Sequence, residues 1–214
     1  VRDWTYEGLQ VVYARDVVVR DNAFIDIDKA GVHLGQVAGV GNVIEDNLFR
    51  NANSVGDVAN GGVKFGALRL DTVCSSPALT QNCTEDHPVA FSIRGNSFDT
   101  ALHALVTNVE PGVTGKTYTV DFTENKVEGV SGFVVVNGAP STGSAQRNWW
   151  GAATDVPTLI QGQGVEFEPY YVSEDMTLLS DGTGGEPTGC VTLPDWLCDN
   201  AEEIAGSVAQ LFGS

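Results

Sequence analysis

Apolar and polar residues follow one short pattern that occurs five times along the chain. The pattern is apolar-x-apolar-x-x-Asn-x-apolar, as in the segment from Val17 to Phe24. Its five asparagines are Asn22, Asn47, Asn96, Asn125 and Asn148, the last in a degenerate copy. A period of about 23–29 residues, with short β-branched strands and no helical periodicity, predicts an all-β fold of stacked coils.

The spacing of the asparagines indicates how many coils the stack contains. Successive asparagines are 25, 49, 29 and 23 residues apart. The long spacing fits one coil with an insertion at about residues 70–89, and two short coils are the alternative. Second short strands are predicted at residues 8–12, 31–34, 62–65 and 131–136. We therefore expect about five to six coils, of which the first is incomplete.

The positions three before and two after each asparagine are predicted to point into the core. Equivalent residues of successive coils lie about 4.8 Å apart, so like residues stack on like. These inward positions are Val19, Ile44, Ile93, Phe122 and Ala145 before the asparagine, and Phe24, Phe49, Phe98, Val127 and Trp150 after it.

The asparagine itself is expected to occupy a sharp bend. Its side chain tolerates the left-handed backbone that such a bend needs. Its amide is able to donate to one neighbouring coil and to accept from the other. Because a buried amide without partners costs roughly 1–3 kcal/mol, five asparagines in register predict a continuous amide ladder.

These repeats resemble the right-handed parallel β-helix of pectate-lyase-like proteins. The segment Arg147-Asn148-Trp149-Trp150-Gly151, followed by residues 165–170, is similar to the end of the β-helix in secreted and cell-surface members. The resemblance covers roughly residues 8–172. It is specific for architecture and not for activity, because the fold carries lyases, hydrolases, adhesins and passive surface proteins.

The chain divides into three parts by composition. Residues 1–179 form the predicted β-helix, and residues 180–189 form a glycine-rich linker. Residues 190–214 are predicted to form a disulfide loop and a short helix at about 200–212. One face of that helix carries Ile204, Val208, Leu211 and Phe212. This apolar stripe favours either a lid over the last coil or a docking element for a neighbouring subunit.

Charge excludes several classes of partner. The chain has 11 Lys and Arg against 28 Asp and Glu, a formal net charge of −17 at pH 7. Such a surface repels nucleic-acid phosphates and anionic lipid headgroups, so we expect neither nucleic-acid binding nor membrane insertion.

Cysteine usage favours an oxidising compartment. The four cysteines form two close pairs, Cys74 with Cys83 and Cys190 with Cys198, without the spacing of a zinc site. Two local disulfides are the simplest arrangement, although buried free thiols and other connectivities remain alternatives. Asn82 lies in a glycosylation sequon within the first loop. We therefore expect an extracellular or cell-surface protein.

Candidate chemistry lies on the outward side of the second strands. Gln10, His33 and Lys64 align there, with His103 as a further candidate. The family resemblance implies polysaccharide binding along an outer parallel sheet. It also implies a basic residue beside a calcium-holding acidic cluster in lyases, or grouped aspartates in hydrolases. No carboxylate pair repeats at the matching positions, so ordinary solvent-facing residues are the simpler interpretation.

Charged residues elsewhere on the coils predict surface contacts rather than catalysis. Arg20, Glu45 and Arg94 form an outward row of alternating sign. Calcium is the one candidate cofactor, because it is bound by oxygen ligands. Its candidate ligands are Asp26, Asp28 and Asp46, or Glu85 and Asp86.

Three functions remain. The first is a non-enzymatic structural or adhesive module of a cell surface, filament or sheath, self-assembling through its ends. The apolar contact between subunits would come from the terminal helix or from Trp4 and Tyr6. The second is a polysaccharide lyase or glycoside hydrolase. The third is a carbohydrate- or calcium-binding domain of a larger surface protein.

Overall fold

The computed structural model describes the predicted β-helix region in segments. The described residues are 1–54, 65–71, 86–99, 102–108, 118–129, 135–137, 141–151, 156–161 and 165–180. They contain seventeen β-strands, and their only helical element is the short 3₁₀ turn Val156–Leu159. Several predictions lie outside the described residues: those on Lys64, Asn82 and Glu85, on all four cysteines, on the linker after Ser180 and on the terminal helix.

The strands form three parallel sheets. Sheet 1 contains β1 (Arg2–Trp4), β4 (Ala23–Ile27), β7 (Leu48–Ala52), β10 (Ser97–Asp99) and β13 (Lys126–Glu128). Sheet 2 contains β2 (Leu9–Val12), β5 (Val32–Gly35), β8 (Leu68–Asp71), β11 (Leu105–Asn108), β14 (Val135–Asn137) and β16 (Ile160–Gln161). Sheet 3 contains β3 (Val18–Arg20), β6 (Asn42–Glu45), β9 (Ala90–Arg94), β12 (Tyr118–Thr123), β15 (Ser141–Ser144) and β17 (Val165–Glu166).

The chain visits the three sheets in turn, once per coil. Each strand from β1 to β12 pairs in parallel with the strand three places later in the chain. Such a topology is consistent with a parallel β-helix, and the prediction of an all-β fold is confirmed. The strands are short because each spans one side of a coil before the chain bends.

The long spacing between Asn47 and Asn96 corresponds to one coil. Strand β6 pairs directly with β9, and β7 pairs directly with β10. The alternative of two short coils is therefore wrong. The register divides the extra residues of this coil between two places, with eleven before β8 and thirteen after it.

The core is a column of stacked side chains. All ten predicted inward positions are buried, and five aromatic rings among them follow one another along the stack. Their successive ring centroids are 5.2, 4.8, 5.5 and 6.2 Å apart for Phe24, Phe49, Phe98, Phe122 and Trp150. Such pairs contribute about 0.5–1.5 kcal/mol each beyond the burial of their area.

The five asparagines form the amide ladder at the bend between sheets 3 and 1. Each Nδ2 from Asn22 to Asn125 donates to the Oδ1 of the next asparagine, at 3.0–3.3 Å. The backbone N–H of the same residues donates to that Oδ1 as well. The four asparagines after Asn22 are buried.

The left-handed backbone of this bend belongs to the preceding residue, which corrects the expectation for the asparagine. The residues with positive φ are Asp21, Asp46, Gly95, Glu124 and Arg147, with φ between 54° and 64°. The asparagine side chain faces the interior and satisfies the backbone of the bend. The strained residue beside it points to the surface or has no side chain.

The third second-strand prediction was displaced by six residues. The strand that pairs with β5 is Leu68–Asp71 rather than residues 62–65. Its alternation places Leu68 and Leu70 in the core, where both are fully buried. Arg69 therefore takes the outward position that the sequence assigned to Lys64. Similarly, Val106 and not His103 continues this row in β11.

Candidate functional site

A cluster of polar side chains lies on the outer face of sheet 2, at the N-terminal end of the stack. Because side chains alternate along a strand, the inward Val32 and Leu34 place His33 on the outer face. The register pairs His33 with Gln10 on one side and with Arg69 on the other. Three successive coils therefore contribute side chains to one cluster. We call Glu7, Gln10, His33, Arg69 and Asp71 the sheet-2 cluster.

The imidazole of His33 lies between two carboxylates. Its Nδ1 is 3.1 Å from Gln10 Nε2 and 3.8 Å from Glu7 Oε1. Its Nε2 is 3.6 Å from Asp71 Oδ2. Gly35 leaves room for the His33 imidazole beside Asp71. A Cβ at residue 35 would lie 3.3 Å from His33 Nε2 and 3.0 Å from a methyl group of Val12.

Arg69 completes the cluster by pairing with Asp71. The Arg69 guanidinium donates to Asp71 Oδ2 and lies over the Phe65 ring, 4.6 Å from its centroid. Burial alone would raise the pKa of Asp71, but the neighbouring His33 imidazole and the charge and hydrogen bond of Arg69 outweigh it. The pKa of Asp71 is therefore below its usual value, and the group stays a carboxylate.

The cluster is buried. Its burial corrects the interpretation of His33 as an ordinary solvent-facing residue. The side chains of Glu7, His33, Arg69 and Asp71 are only 6–13% exposed. Within the described part of the chain, three buried polar atoms of the cluster have no hydrogen-bond partner: Glu7 Oε2, His33 Nε2 and Arg69 Nε. Buried charged groups of this kind contribute ion pairing or acid–base chemistry and do not contribute hydrophobic packing.

A buried tyrosine of sheet 3 is influenced by the charge of the sheet-2 cluster. Tyr118 of β12 packs edge-on against Phe91 and is 3% exposed. Burial raises the pKa of Tyr118, a hydrogen bond with Thr107 lowers it, and the charge of Asp71 raises it further. The net effect is a hydroxyl that stays protonated well above its usual range. The negative charge of Asp71 in the sheet-2 cluster therefore acts on a hydroxyl in the protein interior.

The structure separates the catalytic candidates that the sequence grouped. His33 lies at the centre of the cluster, whereas His103 is buried in the turn before β11, outside the aligned row. Glu7 and Asp71 were missed. The alternation Leu-Arg-Leu-Asp at residues 68–71 was the signal for Asp71, but Glu7 precedes β2 and has no such signal.

Two of the candidate calcium ligands, Asp26 and Asp28, already make contacts within the protein. Asp26 accepts a hydrogen bond from Asn51 and lies 3.9 Å from Arg2, while Asp28 accepts from Ser54. Within the described residues, no group of three His, Cys, Asp or Glu side chains is placed to hold a metal ion. The row Arg20, Glu45 and Arg94 forms ion pairs of 3.9 and 3.0 Å at the surface.

The N-terminal coil exposes a concentration of apolar side chains. Of nine large hydrophobic residues that are exposed in the described part of the chain, six lie within residues 1–18. They are Val1, Trp4, Tyr6, Val12, Tyr13 and Val18, which are 46–66% exposed. Strands β1, β2 and β3 are also the terminal strands of their sheets. We call these three strands and six side chains the N-terminal rim.

The opposite end is closed over sheet 1 by the segment from Tyr170 to Ser180. Trp149, Tyr171, Met176 and Leu179 form a second small core there. Tyr171 bridges Trp149 in parallel and Leu179 in the antiparallel sense. Two backbone hydrogen bonds, from Val172 to Leu178 and from Ser180 to Tyr170, fix this turn. From the sequence, a lid was predicted only in the terminal helix, and this segment was not identified.

Comparison with known proteins adds no family to these observations. No family model matches the chain, and no curated protein or solved structure matches it. Among the described residues, no helix has the length and apolar character of a membrane span.

Proposed function

We propose that this chain is a non-enzymatic structural or adhesive module, a right-handed parallel β-helix of an extracellular surface, filament or sheath, and that it assembles through the end of its stack. The observation that carries this proposal is the N-terminal rim. A concentration of exposed apolar side chains on one coil is typical of a protein interaction site. Trp4 and Tyr6, the residues expected to mediate assembly, are both in it.

Charge and cysteine usage support the extracellular part of the proposal. A net charge of −17 keeps a β-rich surface soluble and limits unspecific association. Two cysteine pairs, Cys74 with Cys83 and Cys190 with Cys198, suit disulfides in an oxidising compartment. Peptide mapping without reduction tests these pairings, and free thiols in the secreted protein would contradict them.

The assembly proposal is tested by the oligomeric state of the full chain. We expect the native protein to associate and the variant Val12→Lys to remain monomeric at the same concentration. Val40→Lys is the matched control, because Val40 is 62% exposed but lies in a turn on the side of the stack. A native chain that stays monomeric over the concentration range would refute the proposal.

The sheet-2 cluster supports a second candidate, a polysaccharide lyase or glycoside hydrolase acting along the outer face of sheet 2. His33 between Glu7 and Asp71 is an arrangement suited to proton transfer, and Arg69 supplies a positive charge beside it. Turnover of an acidic polysaccharide that is lost in His33→Ala, and retained when the exposed His87 is changed to Ala, would favour this candidate. Binding without turnover would instead favour a carbohydrate-binding domain.

A further inference from the structure

We propose that His33 is a pH-sensitive bridge between three successive coils, in which one proton taken up by the imidazole lets it pair with Glu7 and Asp71 at the same time. The bridge lies on the outer face of sheet 2, where Glu7 precedes β2, His33 belongs to β5 and Asp71 ends β8. This inference goes beyond the proposed function, because it concerns the stability of the stacked coils and requires neither assembly nor turnover.

Both ring nitrogens of His33 face carboxylate oxygens. Nδ1 is 3.8 Å from Glu7 Oε1, and Nε2 is 3.6 Å from Asp71 Oδ2. A carboxylate only accepts hydrogen bonds, and a neutral imidazole carries a hydrogen on only one of its nitrogens. In the neutral state one carboxylate therefore faces a nitrogen lone pair. The imidazolium carries a hydrogen on both nitrogens, so both contacts become favourable ion pairs.

Gln10 accommodates either charge state of the imidazole. Its side-chain amide lies 3.1 Å from His33 Nδ1. A glutamine amide has a donor nitrogen and an acceptor oxygen, and a half-turn of the amide exchanges their places. The nitrogen donates to Nδ1 when the imidazole is neutral, and the oxygen accepts from Nδ1 when the imidazole is protonated. Proton uptake therefore requires a rotation of one side chain and no movement of the backbone.

The charge balance of the sheet-2 cluster favours the protonated imidazole. Two buried carboxylates, Glu7 and Asp71, stand against one guanidinium, Arg69, which pairs with Asp71. Glu7 is only 6% exposed, and within the described residues His33 is the basic side chain that pairs with it. The ammonium of Lys29 lies instead over an aromatic ring, 3.4 Å from its centroid. Because an unpaired buried charge is costly, a proton on His33 stabilises the cluster by balancing the carboxylate of Glu7.

Asp71 stays available as a partner of the imidazolium. Burial raises the pKa of Asp71, but His33 and Arg69 lower it by more, so the group remains a carboxylate in mildly acidic solution. An imidazole ordinarily changes its charge between about pH 5 and about pH 8. A folded chain that binds more protons than its unfolded form loses stability as the pH rises. The bridge should therefore stabilise the coils most on the acidic side of this range.

Urea unfolding of the full chain at about pH 5.5 and about pH 7.5 tests the bridge, because an imidazole changes its charge between these values. We expect a higher unfolding midpoint of the native chain at the lower pH. This difference between the two midpoints should fall to about half or less in His33→Gln and in Glu7→Gln, because each variant removes one side of an ion pair. His87→Gln is the matched control, since it removes an exposed histidine and should keep the native difference. Equal differences in the native chain and in His33→Gln would overturn the inference.

The protonation state of His33 in the folded native chain gives a second readout that needs no variant. Burial alone favours a neutral imidazole, so a buried histidine without the bridge would keep a single ring proton at about pH 5.5. Nitrogen chemical shifts of the three histidines distinguish an imidazolium from a neutral ring. We expect protons on both ring nitrogens of His33 at this pH. A neutral His33 ring in the folded chain would refute the bridge, even where circular dichroism shows that His33→Gln fails to fold.

Discussion

Asn96 donates from Nδ2 to the Oδ1 of Asn125, with 3.0 Å between the two atoms. The backbone N–H of Asn96 donates to the same oxygen at 3.0 Å. On its other side the Oδ1 of Asn96 accepts two equivalent hydrogen bonds from Asn47. One side chain therefore fixes the backbone of its own bend and that of the coil before it.

Replacing Asn96 with leucine is expected to lower the free energy of unfolding by about 3–5 kcal/mol. The substitution leaves the buried N–H of Asn47 without its acceptor and removes the amide that donates to the carbonyls of Ile44 and Arg94, and each unsatisfied buried group costs about 1–3 kcal/mol. Denaturant unfolding measures the change. Asn22→Leu is the control at the exposed end of the ladder and should cost less than about 1 kcal/mol. Equal losses of unfolding free energy at Asn96 and Asn22 would contradict the expectation that the buried part of the ladder contributes more to stability than its exposed end.

The ladder and the aromatic column were predictable because each coil repeats the same local pattern. Phe49 and Phe98 hold the same place relative to their asparagines, and the period alone stacks them. The position of β8 was not predictable in this way. Both residues 62–65 and residues 68–71 alternate in polarity, and an insertion removes the period that would choose between them.

The sheet-2 cluster was harder to predict than the fold because its members are distant in sequence. Glu7 and Asp71 approach His33 only once three successive coils are stacked in register. The sequence identified His33 as outward, but a strand pattern does not reveal whether an outward residue is covered. Burial of an outer face depends on loops, and loops carry no period.

Gly95 is the one glycine among the five positive-φ residues of the ladder bends, and it should tolerate substitution poorly. Its φ is +64°, and a Cβ there would collide with Asp46 Oδ1. The left-handed backbone costs about 1–2 kcal/mol for a residue with a side chain, so Gly95→Ala should cost about 2–3 kcal/mol with the collision included. In an Asp46→Ala background we expect the same substitution to cost only about 1–2 kcal/mol. Thermal unfolding of the four proteins in this cycle measures the coupling, and an additive result would rule out the collision.

Asp71 is expected to make the protein sensitive to acid. Its pKa is lowered in the folded state, so its contribution to stability is present above the ordinary value of about 4 and is lost as the pH falls through the folded value. Asp71→Asn should therefore flatten the acid side of the stability curve. At neutral pH the same variant should lose roughly 3 kcal/mol, because Arg69 keeps a buried charge without its partner.

The control for this acid dependence is Asp121→Asn. Asp121 is an exposed aspartate of β12, so its replacement should change neither the neutral stability nor the acid slope by a measurable amount. Urea unfolding between pH 2 and pH 7 gives both quantities, a range of roughly two units below and three above the ordinary aspartate value. An unchanged acid slope in Asp71→Asn would contradict the lowered pKa.

Tyr118 should make the opposite contribution at alkaline pH. Its pKa is raised in the folded state, by burial first and by the charge of Asp71 in addition. The stability that it contributes is complete below the ordinary tyrosine value of about 10 and is lost as the pH rises through the folded value. In an ultraviolet titration of the five tyrosines we expect Tyr118 to ionise last or only on unfolding. Tyr118→Phe should remove that late step, and Asp71→Asn should move it to lower pH because the neighbouring negative charge is gone. A late step that Asp71→Asn leaves in place would mean that burial alone sets the ionisation of Tyr118, without electrostatic contact between the core and the sheet-2 cluster.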